Sequence, residues 1–227
     1  MVLIDTVYQR VLALANKEQR GYITPQEFNL FANQAQLEIL DQYINDVTFF
    51  GRTPGSDEEF SDMSRTLDEK LGVFKAEAII PLTAGLGDFP VDLYRLGKVY
   101  FGNNEAQQLT IDQIRKIQKS PFTIPSTTSN PCFDIVNNQI RCVPAVPTVT
   151  MTYLRTPVSV NWGYVVINNK ALYDPNPTKT TNFELQDSEE TELVYKILKL
   201  SGAAIQRQDI AQFGQALEQN VQQSEKI

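Results

Sequence analysis

The spacing of apolar residues changes twice along this chain, and the two changes separate helical ends from a β-rich middle. Before Gly72 and after Asp187, apolar residues recur at i, i+3, i+4 and i+7, as in amphipathic helices. Between them, most apolar residues are β-branched or aromatic, and Pro, Gly and Asn interrupt them, as in short strands joined by turns. We therefore predict an α+β fold with a helical core domain, residues 1–72 plus 187–227, and a β-rich inserted domain of antiparallel hairpins, residues 73–186.

The clearest local signal is a helix start at residues 23–28 (ITPQEF). Thr24 is predicted as the N-cap and Glu27 as the residue that closes a capping box, while the flanking apolar residues form a hydrophobic staple. The helix should run from residue 25 to about 47. At the other end of the chain, Asp187 or Ser188 is expected to cap the returning helix.

One hairpin can be predicted residue by residue. Residues 133–142 read as two strands around Asn137-Asn138, because Asn tolerates the positive φ of a two-residue type I′ turn. In that register Phe133 faces Cys142, and Cys132 points to the opposite face of the sheet. We therefore expect two free thiols and no disulfide, as in a reducing cytoplasm.

Composition excludes several classes of site. The chain has no histidine and only two cysteines, so it cannot form a Ser-His-Asp site, a Cys-His site, a histidine-containing zinc site or a four-cysteine site. No apolar stretch approaches the roughly 20 residues of a membrane span, and the N-terminus lacks a signal-peptide pattern. We expect a soluble chain made in a cytoplasm, with no membrane partner.

The charge is unevenly distributed. With 20 basic and 27 acidic residues the net charge is −7, which disfavours broad wrapping of nucleic acid. Residues 73–160 carry eight basic and six acidic residues, a net +2, and both ends are acidic. Arg115, Lys116 and Lys119 place three cations on a predicted short helix, either as a solvated face or as a nucleic-acid contact.

No group of residues indicates a catalytic, cofactor or metal site. The dense carboxylates, at residues 57–59 and at Glu189-Glu190, stand where the first turns of helices favour acids. Residues 85–88 (GLGD) lack the spacing of a phosphate-binding loop. We therefore expect no enzymatic activity and no cofactor.

The residues that could form contacts with other subunits are aromatic or glutamine-rich. Trp162 and Tyr164 are either a buried pair or an exposed contact surface, and Phe49 and Phe50 raise the same question. A last helix is predicted from the spacing of Ile210, Phe213, Leu217 and Val221. Its glutamine-rich faces are either solvated or an inter-subunit surface, since Gln offers neutral hydrogen bonds between identical copies. Its candidate interface residues are Gln212, Gln215, Gln219 and Gln222.

Four segments resemble structural proteins of tailed phages, notably crAss-like phages. Residues 16–29 (NKEQRGYITPQEFN) and 31–40 (FANQAQLEIL) match most closely. Residues 90–96 (PVDLYRL) and 152–157 (TYLRTP) are similar in kind. The order of elements is similar to that of the podovirus tail tubular protein A and head-to-tail adaptor class, in which helices flank a β-rich middle.

This resemblance implies a virion structural protein of the tail or neck, assembled in the host cytoplasm. The family forms rings of about twelve subunits, and such closed rings need two different contact patches per subunit. Its implied partners are further copies of itself, the portal protein, adjacent tail ring proteins, and genomic DNA that passes through the lumen without sequence-specific binding. An acidic chain suits that lumen, because negative charge repels DNA phosphates.

Two alternatives belong to other classes. A β-rich glycan-binding or adhesion module of a virion would present Trp162, Tyr164 and nearby aromatics as an exposed platform. A carboxylate-only glycosidase would need two acids converging in one cleft. We also expect the tail, residues 222–227, to be mobile in the isolated subunit and ordered in the assembly.

Overall fold

The computed structural model describes residues 1–17, 23–50, 58–121, 126–168, 170–204 and 219. Helices and antiparallel or mixed sheets give the predicted α+β fold. In chain order the elements are α1 (Ile4–Lys17), α2 (Pro25–Phe50), α3 (Glu58–Gly72), β1 (Lys75–Pro81), β2 (Leu86–Asp88), β3 (Leu93–Phe101), β4 (Asn104–Glu105), β5 (Gln107–Gln108), α4 (Ile111–Lys119), β6 (Cys132–Val136), β7 (Gln139–Val143), β8 (Thr148–Arg155), β9 (Tyr164–Ile167), β10 (Lys170–Tyr173) and α5 (Glu190–Ala204).

The chain divides into two compact units. Unit 1 comprises residues 1–73 and 157–227, and unit 2 comprises residues 74–156. The first boundary lies next to the predicted one, whereas the second lies at residue 156 instead of 186. Residues 157–186 therefore belong with the helices, although their composition resembles that of the β-rich middle.

Unit 1 is built on helix packing. Helix α5 packs against α1 and α2, and α3 packs against α2. The contacts use fully buried aliphatic residues, as the apolar stripes predict. Members of this core are Val7, Val11, Ile39, Leu40, Leu193 and Ile197.

The predicted start of α2 is confirmed in detail. The Thr24 backbone N–H donates to Glu27 Oε2 (3.0 Å), and the Glu27 backbone N–H donates to Thr24 Oγ1 (3.3 Å). The staple residues Ile23 and Phe28 are both buried. The same reciprocal bonds cap α4 at Thr110. The helix runs three residues beyond its predicted end, to Phe50.

The predicted cap of the returning helix is wrong. Gln186 occupies the N-cap position of a 3₁₀ turn, Asp187–Glu189, that leads into α5, and it makes no side-chain cap bond. Asp187 instead accepts a hydrogen bond from the N-terminal amine of Met1, so its carboxylate is occupied by another segment.

Unit 2 contains two four-stranded sheets that share one core. Their strand orders are β1-β8-β3-β4 and β2-β7-β6-β5. Inward residues from both sheets form one buried cluster, and outward residues alternate with them as the pleat requires. The cluster includes Ile80, Val99, Phe101, Phe133, Ile140, Cys142, Val149, Met151 and Tyr153.

The predicted register of the β6–β7 hairpin is confirmed. Phe133 pairs with Cys142, and Cys132 pairs with Val143. Asn137 and Asn138 have φ of 51° and 59°, as a type I′ turn requires. Both cysteines are buried and free. Within the described residues, no helix combines the length and the apolar character that crossing a bilayer requires.

Candidate interaction surface

A row of carboxamide side chains on α2 binds an extended segment of unit 1. Asn33 exchanges two hydrogen bonds with the backbone of Val160, at 2.8 and 2.9 Å. One turn earlier, Asn29 Oδ1 accepts from the Trp162 backbone N–H at 2.8 Å. Residues four apart share a helix face, so the helix pairs with the segment much as a neighbouring strand would.

Gln36 extends the row by one more turn. Its Nε2 donates to the Val158 carbonyl (3.1 Å), and its Oε1 accepts from the Glu184 backbone N–H (3.2 Å). Gln36 is buried, so losing either partner would leave an unsatisfied polar group. This carboxamide row explains why residues 157–186 belong to unit 1. In the sequence this polar face is marked by the i, i+4, i+7 spacing of Asn and Gln within residues 29–36, a pattern separate from the apolar stripe of the same helix.

Trp162 lies at the end of this segment and is buried. Its side chain is 2% exposed, and its indole Nε1–H donates to Asp5 Oδ1 at 2.9 Å. Its ring centroid lies 4.2 Å from that of Tyr8, which in turn makes an edge contact with Phe28. The buried interpretation is therefore correct for Trp162, and the exposed aromatic platform of a glycan-binding module does not form around it.

Two tyrosines stack on Trp162 and begin and end a β-hairpin. The ring centroids of Tyr164 and Tyr173 each lie 5.8 Å from that of Trp162, in stacked geometry. The two tyrosines are also cross-strand partners, because β9 pairs with β10 from Tyr164↔Tyr173 to Ile167↔Lys170. Residues 164–173, here called the arm, thus begin and end at the aromatic cluster around the buried Trp162.

A polar loop, residues 174–181, fixes the base of the arm. The Asp174 backbone N–H donates to the Gly163 carbonyl (2.9 Å), and Lys179 Nζ donates to Asp174 Oδ2 (2.8 Å). The hydrogen bond from Lys179 lowers the pKa of Asp174. A Cβ on Gly163 would lie 2.6 Å from Thr180 Oγ1, so only glycine fits between the segment and the loop.

Beyond this base the arm exposes apolar residues on both faces. Directly opposed residues share a face, so Val165, Ile167 and Leu172 lie on one side and Val166 on the other. Val166 is 61% exposed, and Ile167 is 52% exposed. Leu172 and Tyr173 are also partly exposed, so the exposed apolar surface of the arm is divided between its two faces.

The acids around the start of α5 are paired. Glu189 is 2% exposed and lies 2.9 Å from Lys70 Nζ. Burial opposes its ionisation, but hydrogen bonds from Lys70, Tyr43 and Ser188 and the charge of Lys70 outweigh burial, so the pKa of Glu189 is lowered. Glu189 lies in a first turn, as predicted, and it also forms a buried pair with Lys70 that the sequence did not predict.

The neighbouring acids also bind cations. Glu190 lies 3.1 Å from Arg10, and the buried Glu192 lies 3.4 Å from Lys196. A cavity of about 290 Å³ between α1 and α5 is lined mainly by apolar side chains around Arg10. In the part of the chain that the structure describes, no cluster of three or more Cys, Asp or Glu side chains could hold a metal.

The remaining sequence-predicted residues lie at other places. Phe49 and Phe50 end α2, but their side chains lie outside the described residues, as do Gln212, Gln215, Gln222 and the tail, residues 222–227. Gln219 is exposed and Tyr164 is half-buried.

The three cations of the predicted short helix lie together on α4. Arg115, Lys116 and Lys119 are exposed, while Ile114 of the same helix is buried. This is the arrangement of a solvated basic face, and a nucleic-acid contact stays untested. A scan against protein-family models and a search of curated proteins both gave no match to this sequence.

Proposed function

We propose that this chain is a virion structural protein without enzymatic activity. It forms a head-to-tail connector or tail-neck ring that joins the portal to the tail and lets DNA pass through its lumen. The observation that carries the proposal is the arm, a hairpin with a fixed base and two exposed apolar faces. Isolated two-stranded hairpins are marginal in water, so an arm of this kind favours a subunit that binds a neighbour.

The base of the arm supports a role in binding. The carboxamide row, the Trp162 cluster and the loop of residues 174–181 hold the arm in one position before any partner arrives. Preorganisation of this kind reduces the conformational entropy lost on association. The arm thus exposes β-branched side chains to water on a fixed base. This exposure is unfavourable in a monomer, and contact with a neighbouring subunit would remove it.

The resemblance to tailed-phage structural proteins makes the proposal specific. The segments that resemble the phage proteins include Asn29, Asn33 and Gln36 of the carboxamide row, and this row positions Trp162 and the arm. The chain carries a net charge of −7, and all of the excess negative charge lies outside unit 2, which carries net +2. Negative charge suits the lumen of a DNA channel, because it repels the DNA phosphates.

Mass photometry of the purified chain, alone and with the portal ring of its own virion, tests the proposal. We expect a species about twelve times the 25.7 kDa subunit mass, or its complex with the portal. Val166→Lys should abolish the large species, because it places a charge in the arm's exposed apolar surface. A chain that stays monomeric in both mixtures would contradict the proposal.

A matched control separates the arm from general effects of added charge. Val91 is fully exposed and belongs to unit 2, so Val91→Lys makes the same chemical change at a residue that is not part of the arm. We expect this variant to assemble like the wild type. Far-ultraviolet circular dichroism should show that both variants keep the wild-type fold.

A further inference from the structure

A closed ring of identical subunits needs a second patch that differs from the first and receives it. This inference rests on the proposed function, in which the arm is the first patch. Strands at the edge of a sheet are natural receivers, because their outward N–H and C=O groups lack partners. The receiving patch can therefore be sought among the open edges of the described sheets.

Strand β1 is the longest open edge. It has seven residues, whereas the other edge strands of unit 2, β2, β4 and β5, have three or two. It pairs with β8 over seven consecutive residues without a bulge, so it is regular as well as long. Bulges commonly protect edges, and the β3–β8 pairing in the same sheet contains two irregularities.

The side chains of β1 form a distinct pattern on each face. Glu77 and Ile79 lie on the outer face, and Ile79 is 70% exposed. Ala78 and Ile80 lie on the other face, next to the core of unit 2. A strand that continues this sheet should therefore be apolar towards the core, and should bring a cation to Glu77 and an aliphatic residue to Ile79.

Strand β10 of the arm has this pattern. We propose that β10 of one copy pairs in parallel with the outer edge of β1 in the next copy, with Lys170 opposite Glu77 and Leu172 opposite Ile79. Ala171 then falls beside Ala78, on the core side. Lys170 is the only charged residue among residues 164–173, so the register pairs the one charge of the arm with Glu77 and the half-exposed Leu172 of β10 with Ile79.

The register makes charge reversal a sharp test. Lys170→Glu and Glu77→Lys should each raise the dissociation constant of the assembly by about tenfold or more, because each places like charges opposite one another. The double variant restores opposite charges and should assemble again. An equimolar mixture of the two single variants should also assemble, with copies alternating, since each arm then meets an edge of opposite charge.

Cysteine pairing tests the same contact independently. In the Leu172→Cys/Ile79→Cys double variant, mild oxidation should give a ladder of disulfide-linked copies, because the native cysteines are buried. Leu172→Cys/Val91→Cys is the matched control and should give no ladder. A dimer formed by Leu172→Cys alone would mean that arms pair with each other and would overturn the inference.

The outcomes separate this inference from the proposed function. If the wild type forms rings and both charge-reversed single variants form them equally well, the β1 edge is not the receiver, and the proposed function stands. If the single variants fail but neither the double variant nor the mixture recovers, the register is wrong. If the wild type never assembles, both proposals fall. Unchanged Trp162 fluorescence excludes unfolding of unit 1 as the cause of any loss, and unchanged far-ultraviolet circular dichroism excludes unfolding of unit 2.

Discussion

Replacing Lys70 by methionine should destabilise unit 1 in a pH-dependent way. Lys70 Nζ lies 2.9 Å from Glu189 Oε1, and the two side chains are 15% and 3% exposed. Removing one partner of a buried pair costs about 3–5 kcal/mol, because the other charge stays buried. Since Lys70 retains some exposure, we expect a loss of about 3 kcal/mol in the free energy of unfolding at pH 7.

The sign of the pH effect follows from the lowered pKa of Glu189 in the folded wild type. A carboxylate with a lowered pKa stabilises the fold above its unfolded pKa, and this contribution is lost as the pH falls through the folded pKa. In Lys70→Met the attraction between Lys70 and Glu189 is gone, but Glu189 stays buried. Protonation of Glu189 then removes the unpaired buried charge and its cost in stability. The difference between wild type and variant should shrink as the pH falls from 7 to 4.

Urea unfolding followed by tryptophan fluorescence is the suitable assay. Trp162 is the only tryptophan of the chain and is buried in unit 1, so its signal reports that unit. Arg65→Met is the matched control, because the Arg65–Glu69 pair lies on the same helix but is 76% and 66% exposed. We expect the control to change stability by less than about 0.5 kcal/mol.

Two results would refute this reasoning. One is a loss for Lys70→Met that is the same at pH 7 and pH 4, because it would show that an uncompensated Glu189 charge is not the cause. The other is a Lys70→Met/Glu189→Leu double variant no more stable than the single variant. Removing both charges should recover much of the loss.

Three further predictions test other parts of the structure. Thr24→Ala should cost about 1 kcal/mol, whereas Thr24→Ser should be nearly neutral, by urea unfolding, since both hydroxyls can cap α2. Burial raises the pKa of Cys142 to about 12, so neither it nor the buried Cys132 should react with a thiol reagent at pH 8 until the protein is denatured. Trp162→Ala should cost about 3–5 kcal/mol in thermal or urea unfolding, and a surface role for this side chain would predict almost no loss.

Local signals predicted much of the fold. The capping box at Thr24 and the Asn137-Asn138 turn each involve residues adjacent in sequence, so residue type and spacing determine their geometry. The register of the β6–β7 hairpin followed from its turn, and with it the separation of the two cysteines. These features do not depend on where the rest of the chain lies.

Contacts between distant segments were not predictable in the same way. The carboxamide row joins Asn33 to Val160, which is 127 positions away. It holds residues 157–186 in unit 1, so the second boundary lies at residue 156 instead of the predicted 186. Glu189 had a sufficient local explanation as a first-turn acid, which concealed its partner Lys70 on another helix. Tertiary partners decided both cases, because the spacing of Asn29, Asn33 and Gln36 marks a polar helix face but does not identify the segment that it binds.

The candidate surface was predicted in part. Trp162 and Tyr164 were candidates from the sequence, but the sequence left open whether Trp162 is buried. The structure shows that Trp162 is buried, so the exposed candidates for a contact are the aliphatic residues of the arm. The glutamines of the last predicted helix stay a prediction, except that Gln219 is exposed.

Negative-stain imaging of the full chain mixed with its portal ring tests the central claim most directly. The proposed function predicts closed rings that sit coaxially on the portal in wild-type images and disappear in images of Val166→Lys. Portal rings without added density, together with free particles of one 25.7 kDa subunit, would contradict it.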